Sequence, residues 1–181
     1  MKKLFLLTFV FVLILAGCSC EKAEPTDSIT ADKMSELYEE YNVMAGTWQG
    51  QWKNTTFGSS GASKATVIVN EDGTASFTID IDGMVFGMVN PDPKTFRGNF
   101  NDKGIVITQK DDLFGDVTIT IVKTGESEAT VNVKSENITT PGIKSMTANG
   151  TLDAEKIHMD YEVQFTAGNP AKGVFDMTKI D

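Results

Sequence analysis

From Gly46 to the end of the chain, apolar and polar residues alternate with a period of two, and this pattern restricts the fold more than any other feature. The run 75–81 has alanine, phenylalanine and two isoleucines at every second position, and the run 157–165 repeats the pattern. Successive side chains of a strand point to opposite faces of a sheet. These runs are therefore predicted to be half-buried antiparallel strands.

Turn sequences such as Lys103-Gly104 and Pro141-Gly142 divide this part of the chain into short segments. The predicted strands are 46–54, 62–70, 73–82, 84–90, 95–101, 104–110, 113–123, 128–135, 143–152, 155–166 and 172–179. An open sheet of this width would leave two exposed edges. We therefore expect an all-β fold, an antiparallel up-and-down barrel of about 8–10 strands, with a two-sheet sandwich as the alternative.

A different period precedes the strands. Within 30–42 the apolar residues recur at i, i+3, i+4 and i+7, as Met34, Leu37, Tyr38 and Tyr41. This spacing predicts one short amphipathic helix. A helix of about three turns is too short to be stable alone, so it must dock on another element. We expect it to cover one end of the sheet, with a partner-binding helix as the alternative, and we expect 30–181 to form one domain.

Composition restricts the possible functions. The chain has 16 Lys plus Arg, 25 Asp plus Glu, one His and a net charge of −9. Nucleic-acid binding needs a clustered basic surface, so it is not expected. His158 alone cannot supply a site that needs two imidazoles, and its alternation places it on the polar face beside Asp160. No Gly-x-Ser-x-Gly, His-Glu-x-x-His or phosphate-binding glycine loop occurs, so neither an enzyme nor a cofactor is expected.

Carboxylates near the predicted strand ends could in principle bind calcium. None of them has the twelve-residue loop spacing of calcium-binding Asp residues, so we expect them to provide solubility and to protect strand edges instead. No metal site is expected. The residues considered are Asp80, Asp82, Asp111, Asp112 and Asp116.

The N-terminus has the pattern of a secretory signal peptide over 1–17. A basic start at 1–3 is followed by an apolar run over 4–16, which is shorter than the roughly 20 residues of a membrane span. The tetrapeptide Leu-Ala-Gly-Cys that ends at Cys18 resembles a bacterial lipobox. The resemblance implies cleavage before Cys18 and lipidation of its sulfur, which would attach the protein to a membrane. An ordinary cleaved signal peptide is the alternative.

The residue after Cys18 is Ser19 and not aspartate. Under the sorting rule of enteric Gram-negative bacteria, the lipobox resemblance then implies an outer-membrane location, with the periplasmic or the external face left open. Residues 18–29 are polar and contain proline, which is typical of a flexible tether. Cys20 is the only other cysteine, so we expect a free thiol or a dimer contact. Asp27-Ser28-Ile29 resembles an O-glycosylation sequon, and helix capping is the alternative.

The start of the first predicted strand resembles a known family. Gly46-Thr47-Trp48, directly after a short helix, resembles the Gly-x-Trp motif of the calycin superfamily, and the end of the chain from Gly150 is similar to the last hairpin of lipocalin-like bacterial lipoproteins. The resemblance implies a barrel with Trp48 at its closed end. Lipocalins usually place an arginine over this tryptophan, whereas the last strand here has only Lys172 and Lys179.

The resemblance also implies that the barrel binds a small apolar molecule. A barrel of about eight strands can be filled by its own side chains or can hold one ligand, and both alternatives stay open. The loops 54–62, which contains Phe57, and 135–141 are candidate rims of the mouth. Methionine adapts to irregular ligands. The interior candidates for ligand contact are Phe77, Met84, Phe86, Met88, Met146, Met159 and Tyr161.

The function expected from these observations is that of an outer-membrane-anchored, lipocalin-like lipoprotein. It would be non-catalytic and would bind or carry a small apolar ligand. The alternative is an interaction lipoprotein with a solid barrel core, whose loops dock a protein or glycan partner.

Overall fold

The described part of the chain folds into a closed antiparallel barrel preceded by a short helix. The computed structural model describes residues 29–101 and 103–181. Ten strands form the barrel, which confirms the expected all-β fold class and excludes the two-sheet sandwich. The predictions made for the signal peptide 1–17, for lipidated Cys18 and for Cys20 and Ser28 in the tether lie outside the described residues.

The helix and strands follow one another along the chain with short connections. Their bounds are α1 Ala31–Asn42, β1 Gly46–Asn54, β2 Ser60–Val69, β3 Thr74–Ile81, β4 Met84–Val85, β5 Met88–Val89, β6 Lys94–Asn101, β7 Gly104–Asp111, β8 Gly115–Lys123, β9 Glu128–Glu136, β10 Ile143–Asp153, β11 Lys156–Phe165 and β12 Ala171–Lys179. The order around the barrel is β1-β12-β11-β10-β9-β8-β7-β6-β3-β2, and β2 pairs with β1 to close it.

The segment 84–90, predicted as one barrel strand, is instead the small hairpin β4–β5. Strand β3 pairs directly with β6, so the hairpin lies outside the barrel ladder. Gly83, Phe86, Gly87 and Asn90 all have positive φ angles, which an extended strand cannot accommodate. Alternation of apolar residues does not reveal these backbone turns, which is why the sequence pattern suggested a strand.

The seam between β6 and β7 is closed partly by a side chain. These strands share three backbone pairs next to the turn that joins them, from Asn101 opposite Gly104 to Asn99 opposite Val106. Farther from the turn, the two backbones separate. Beyond that point the Gln109 amide bridges them: its Oε1 accepts from the Arg97 N–H at 3.2 Å, and its Nε2 donates to the Thr95 carbonyl at 3.0 Å. One side-chain amide thus replaces a missing section of the backbone ladder.

Helix α1 packs against one end of the barrel, which we name the closed end. Thr30 caps the helix, because its hydroxyl accepts from the Lys33 N–H at 3.3 Å. Leu37 and Tyr41 are buried against the barrel. The Tyr41 hydroxyl accepts from the N–H of Lys123, the last residue of β8, at 3.0 Å. The helix is therefore fixed to a strand end by both apolar contact and a hydrogen bond.

Trp48 lies fully buried near this closed end, with 0% of its surface exposed. Its strand neighbours are Ala65 on β2 and Lys179 on β12. The Lys179 ammonium lies 5.7 Å from the centre of the indole ring and donates to the Val43 carbonyl at 3.1 Å. A lysine of the last strand therefore makes the cation–π contact over this tryptophan.

We predict that Trp48→Ala destabilises the fold by about 3–5 kcal/mol, since it removes a fully buried indole and leaves a cavity. Denaturant unfolding followed by circular dichroism measures this change. Ile68→Thr on the outer face of β2 is the control, because Ile68 is half exposed and its replacement is β-branched, so its effect should stay within about 0.5 kcal/mol. Equal effects of the two substitutions would contradict the proposed role of the indole.

Candidate ligand-binding cavity

The barrel encloses a cavity of about 500 Å³. This volume lies in the range of small-molecule sites, roughly 300–1,000 Å³. Inward-facing residues of most barrel strands line it, and the half nearer α1 has aliphatic and thioether side chains from β8, β10, β11 and β12. These are Ile121, Leu152, Ile157 and Met177. The side chains of the barrel therefore do not fill its interior.

The cavity lining is strongly apolar. Among its lining residues, none carries a charged side chain. The polar side-chain groups are few: Asn54, Ser59, Ser135, Thr140, the Tyr161 hydroxyl and the Trp52 indole N–H, which donates to the Asp82 carbonyl at 2.6 Å. The Ser135 hydroxyl already donates to the Phe114 carbonyl. A molecule in this space would therefore meet mainly carbon and sulfur atoms, with few hydrogen-bonding groups.

The end opposite α1, which we name the mouth, is surrounded by loops. Phe57 in the β1–β2 loop is 67% exposed, and its ring lies 6.2 Å from that of Phe165. The hairpin β4–β5 lies on another side, where the Phe86 ring packs edge-on against Phe114 at 5.7 Å. The predicted rim loop 135–141 contributes Ser135, Thr140 and Pro141 to the lining. Apolar side chains thus border the entrance as well as the interior.

The structure brings most of the sequence-predicted interior residues together. The cavity lining includes Phe77, Met84, Phe86, Met146, Met159 and Tyr161. Met88 does not line the cavity and is half exposed, because it belongs to the hairpin and not to a barrel strand. Met84 is also exposed, at 56%, and contacts the cavity only from its rim.

Sequence reasoning missed much of the lining. The prediction selected bulky side chains, whereas β8 and β9 contribute the smaller Val117, Ile119, Val131 and Val133. Their positions at every second residue were a usable signal. The contribution of Asn54 was not predicted because only bulky apolar side chains were selected, although Asn54 shares one face of β1 with Trp48 and Trp52.

Asn54 and Tyr161 form a polar pair near the mouth. They lie on either side of Gly173 in β12, which pairs with both of them. A Cβ atom on Gly173 would lie 2.4 Å from the Tyr161 hydroxyl. The tyrosine ring therefore packs over the space that a side chain at this position would occupy. The Asn54 Oδ1 accepts from the N–H groups of Thr56 and Phe57, at 2.9 and 2.8 Å. Burial raises the pKa of Tyr161, and the Asn54 amide beside it has a smaller, lowering effect.

His158 lies on the outer face of the barrel, away from the cavity, and 53% of its side chain is exposed. Its Nδ1 lies 2.6 Å from Oδ1 of Asp176 on β12. Within 29–101 and 103–181, no group of three or more His, Cys, Asp or Glu residues is placed to hold a metal ion. The helix of the described chain is not long and apolar enough to cross a membrane.

Comparison with protein-family models and with curated proteins gave no match. The solved structures that match the chain include the following two. The crystal structure of Rv2717c from M. tuberculosis has a TM-score of 0.57 and 8% identity, covering 80% of this chain and 97% of that chain. The structure of EF1p2_mFAP2b bound to DFHBI has a TM-score of 0.44 and 9% identity, covering 80% of this chain and 99% of that chain. The first likeness concerns the fold alone, which in this chain is a closed antiparallel barrel of ten strands.

We predict that the pKa of His158 lies above 6.5 in the folded protein, because its hydrogen bond to Asp176 favours the imidazolium. Because the folded-state pKa is the higher one, the pair stabilises the fold below the unfolded-state pKa. This contribution is lost as the pH rises through the folded-state pKa. Titration of the imidazole by NMR measures the pKa. Asp176→Asn should lower it toward 6.5, and an unchanged pKa in that variant would contradict the assignment.

Proposed function

We propose that this protein is a non-catalytic binding protein that holds or carries a small apolar molecule inside its barrel. The observation that carries the proposal is the uncharged cavity of about 500 Å³. A concave, mostly apolar space with a few hydrogen-bonding groups is the usual form of a small-molecule site. The alternative, partner docking by a barrel with a solid core, is less well supported because it requires a filled interior.

The non-catalytic part of the proposal rests on which groups reach the cavity. General acid–base catalysis needs a titrating group within hydrogen-bond distance of the substrate. The one titratable side chain in the lining is Tyr161, whose raised pKa keeps it protonated at neutral pH. His158 lies on the outer face with Asp176, where it cannot act on a molecule in the cavity.

We predict that N-phenyl-1-naphthylamine, a neutral apolar dye, binds this cavity and that Ala148→Phe weakens its binding by about tenfold or more. Ala148 faces the cavity between Val133 on β9 and Tyr161 on β11, so a benzyl group there would occupy ligand space. Dye fluorescence is titrated against residues 18–181, produced without the leader and with Cys18→Ala so that no lipid is attached.

The matched control is Ile68→Phe, which adds a benzyl group on the outer face of β2, where Ile68 is half exposed. This variant should bind the dye as the parent chain does. If the dye binds none of the chains, or if both variants bind it as tightly as the parent, the cavity is not a binding site.

We also propose that the protein is attached to the outer membrane through lipid on Cys18. The support is the sequence Leu15-Ala16-Gly17-Cys18, which resembles a lipobox, together with Ser19 at the next position. One acyl chain gives only marginal membrane binding, so stable attachment requires more than one chain. The Asp-rich barrel would then be held beside the membrane by the tether 18–29.

We predict that Cys18→Ala abolishes acylation and removes the protein from the outer-membrane fraction, because the lipidated sulfur is lost. Mass spectrometry of the mature N-terminal peptide detects the lipid, and density-gradient separation of membranes identifies the membrane that carries it. Cys20→Ala is the matched control and should keep both lipid and location. An unmodified peptide in the parent protein would contradict the proposal, as would an outer-membrane location of the Cys18→Ala chain.

A further inference from the structure

Few cations of the barrel strands lie on the side that faces a ligand in the cavity. Lys94, Lys123 and Lys179 occupy inward-facing positions of their strands, each at a strand end, and none lines the cavity. Each one already has a partner. The Lys179 ammonium donates to the Val43 carbonyl at 3.1 Å, and the Lys123 ammonium lies 3.8 Å from a carboxylate oxygen of Glu40. Both lie at the closed end.

Lys94 is the inward-facing cation nearest the mouth. Its ammonium lies 3.6 Å from a carboxylate oxygen of Asp111 and contacts the carboxylate of Asp112 more closely. The Asp111 side chain is largely buried, at 10% exposure, so its negative charge lies close to the barrel and not in bulk water. Two carboxylates around one ammonium give this part of the mouth a net negative charge, which disfavours an anion.

An ionised head group would therefore enter the cavity without a compensating charge. Transfer of a carboxylate from water into an apolar space is strongly unfavourable unless a cation or several hydrogen bonds replace its water. The cavity offers neither, because its lining has no charged side chain and its polar groups are few. A fatty acid in its ionised form is thus a poor occupant.

An uncharged polar head group finds a suitable partner in the polar pair. The Asn54 Oδ1 is occupied by the Thr56 and Phe57 N–H groups, so the amide presents its NH₂ group toward Tyr161. The buried Tyr161 hydroxyl stays protonated at neutral pH and can donate to a ligand oxygen. Because this pair lies near the mouth and the deep half of the cavity is aliphatic, a bound molecule would place its chain inward and its head outward.

We propose that the cavity selects neutral amphiphiles, which have an apolar chain and one uncharged hydrogen-bonding head, over lipids with an ionised head. This inference rests on the proposed binding function and assigns the chemical class of the ligand. The Tyr161 hydroxyl and the Asn54 amide bind the head group, and the aliphatic half of the cavity binds the chain.

The test uses three ligands with the same chain length: 1-dodecanol, methyl dodecanoate and dodecanoate. Each one displaces N-phenyl-1-naphthylamine from residues 18–181 carrying Cys18→Ala, at a neutral pH where the acid is ionised. The alcohol and the ester are expected to bind at least about tenfold more tightly than the carboxylate, since only the carboxylate must bury a charge. Equal or tighter binding of the carboxylate would overturn the inference and leave the binding function intact.

The remaining outcomes separate the two proposals. If the dye binds but neither the alcohol nor the ester displaces it, the assigned ligand class is wrong and the cavity still binds apolar molecules. If the dye itself does not bind, the binding function fails and this inference fails with it.

A variant tests the assigned head-group contact. Tyr161→Phe should weaken binding of the alcohol by about fivefold, the value of one neutral hydrogen bond, while binding of the dye changes little. The matched control is Tyr38→Phe on α1, because Tyr38 does not line the cavity and its loss of a hydroxyl should change neither affinity. An unchanged affinity of Tyr161→Phe for the alcohol would contradict the contact.

Discussion

Closure of the barrel is the constraint on which the rest of the structure depends. Strand β1 must pair with both β2 and β12, and it does so on both sides from Trp48 to Lys53. Such close pairing needs space: a Cβ atom on Gly50 would lie 1.9 Å from the Asp176 carbonyl oxygen. The curvature that brings the first and last strands together therefore requires a residue without a side chain at this point of β1.

Closure also determines where an interior volume can exist. The end near α1 is packed by Trp48, Leu37 and Tyr41, all of them buried. At the mouth, by contrast, the connections carry exposed apolar residues such as Phe57 and Met84. The cavity lies between these two ends. Its position thus follows from an asymmetric barrel in which one end has a docked helix and the other has loops.

Much of the fold could be predicted from the sequence because alternation is a local property. The period of two located the ten barrel strands to within a few residues, and the change of period located α1. The alternation did not predict two features of the fold. The positive φ angles at Phe86 and Asn90 turn 84–90 into a hairpin, and the Gln109 amide joins β6 to β7 across a gap in the backbone ladder. Both depend on backbone geometry or on contacts between distant residues.

The cavity itself could not be predicted from the sequence. Its volume is the small difference between the volume inside the barrel and the summed volume of the side chains that point into it. The absence of charged side chains from the cavity, by contrast, follows from the sequence pattern. The alternation that buries one face of each strand also removes charged residues from that face, so lysines with inward positions occur at strand ends, where Lys94 and Lys179 find partners. An uncharged interior is therefore a consequence of the same pattern that closes the barrel. Selection for neutral ligands would follow from how this chain folds, with Tyr161 and Asn54 adding the hydrogen-bonding groups that a purely apolar pattern lacks.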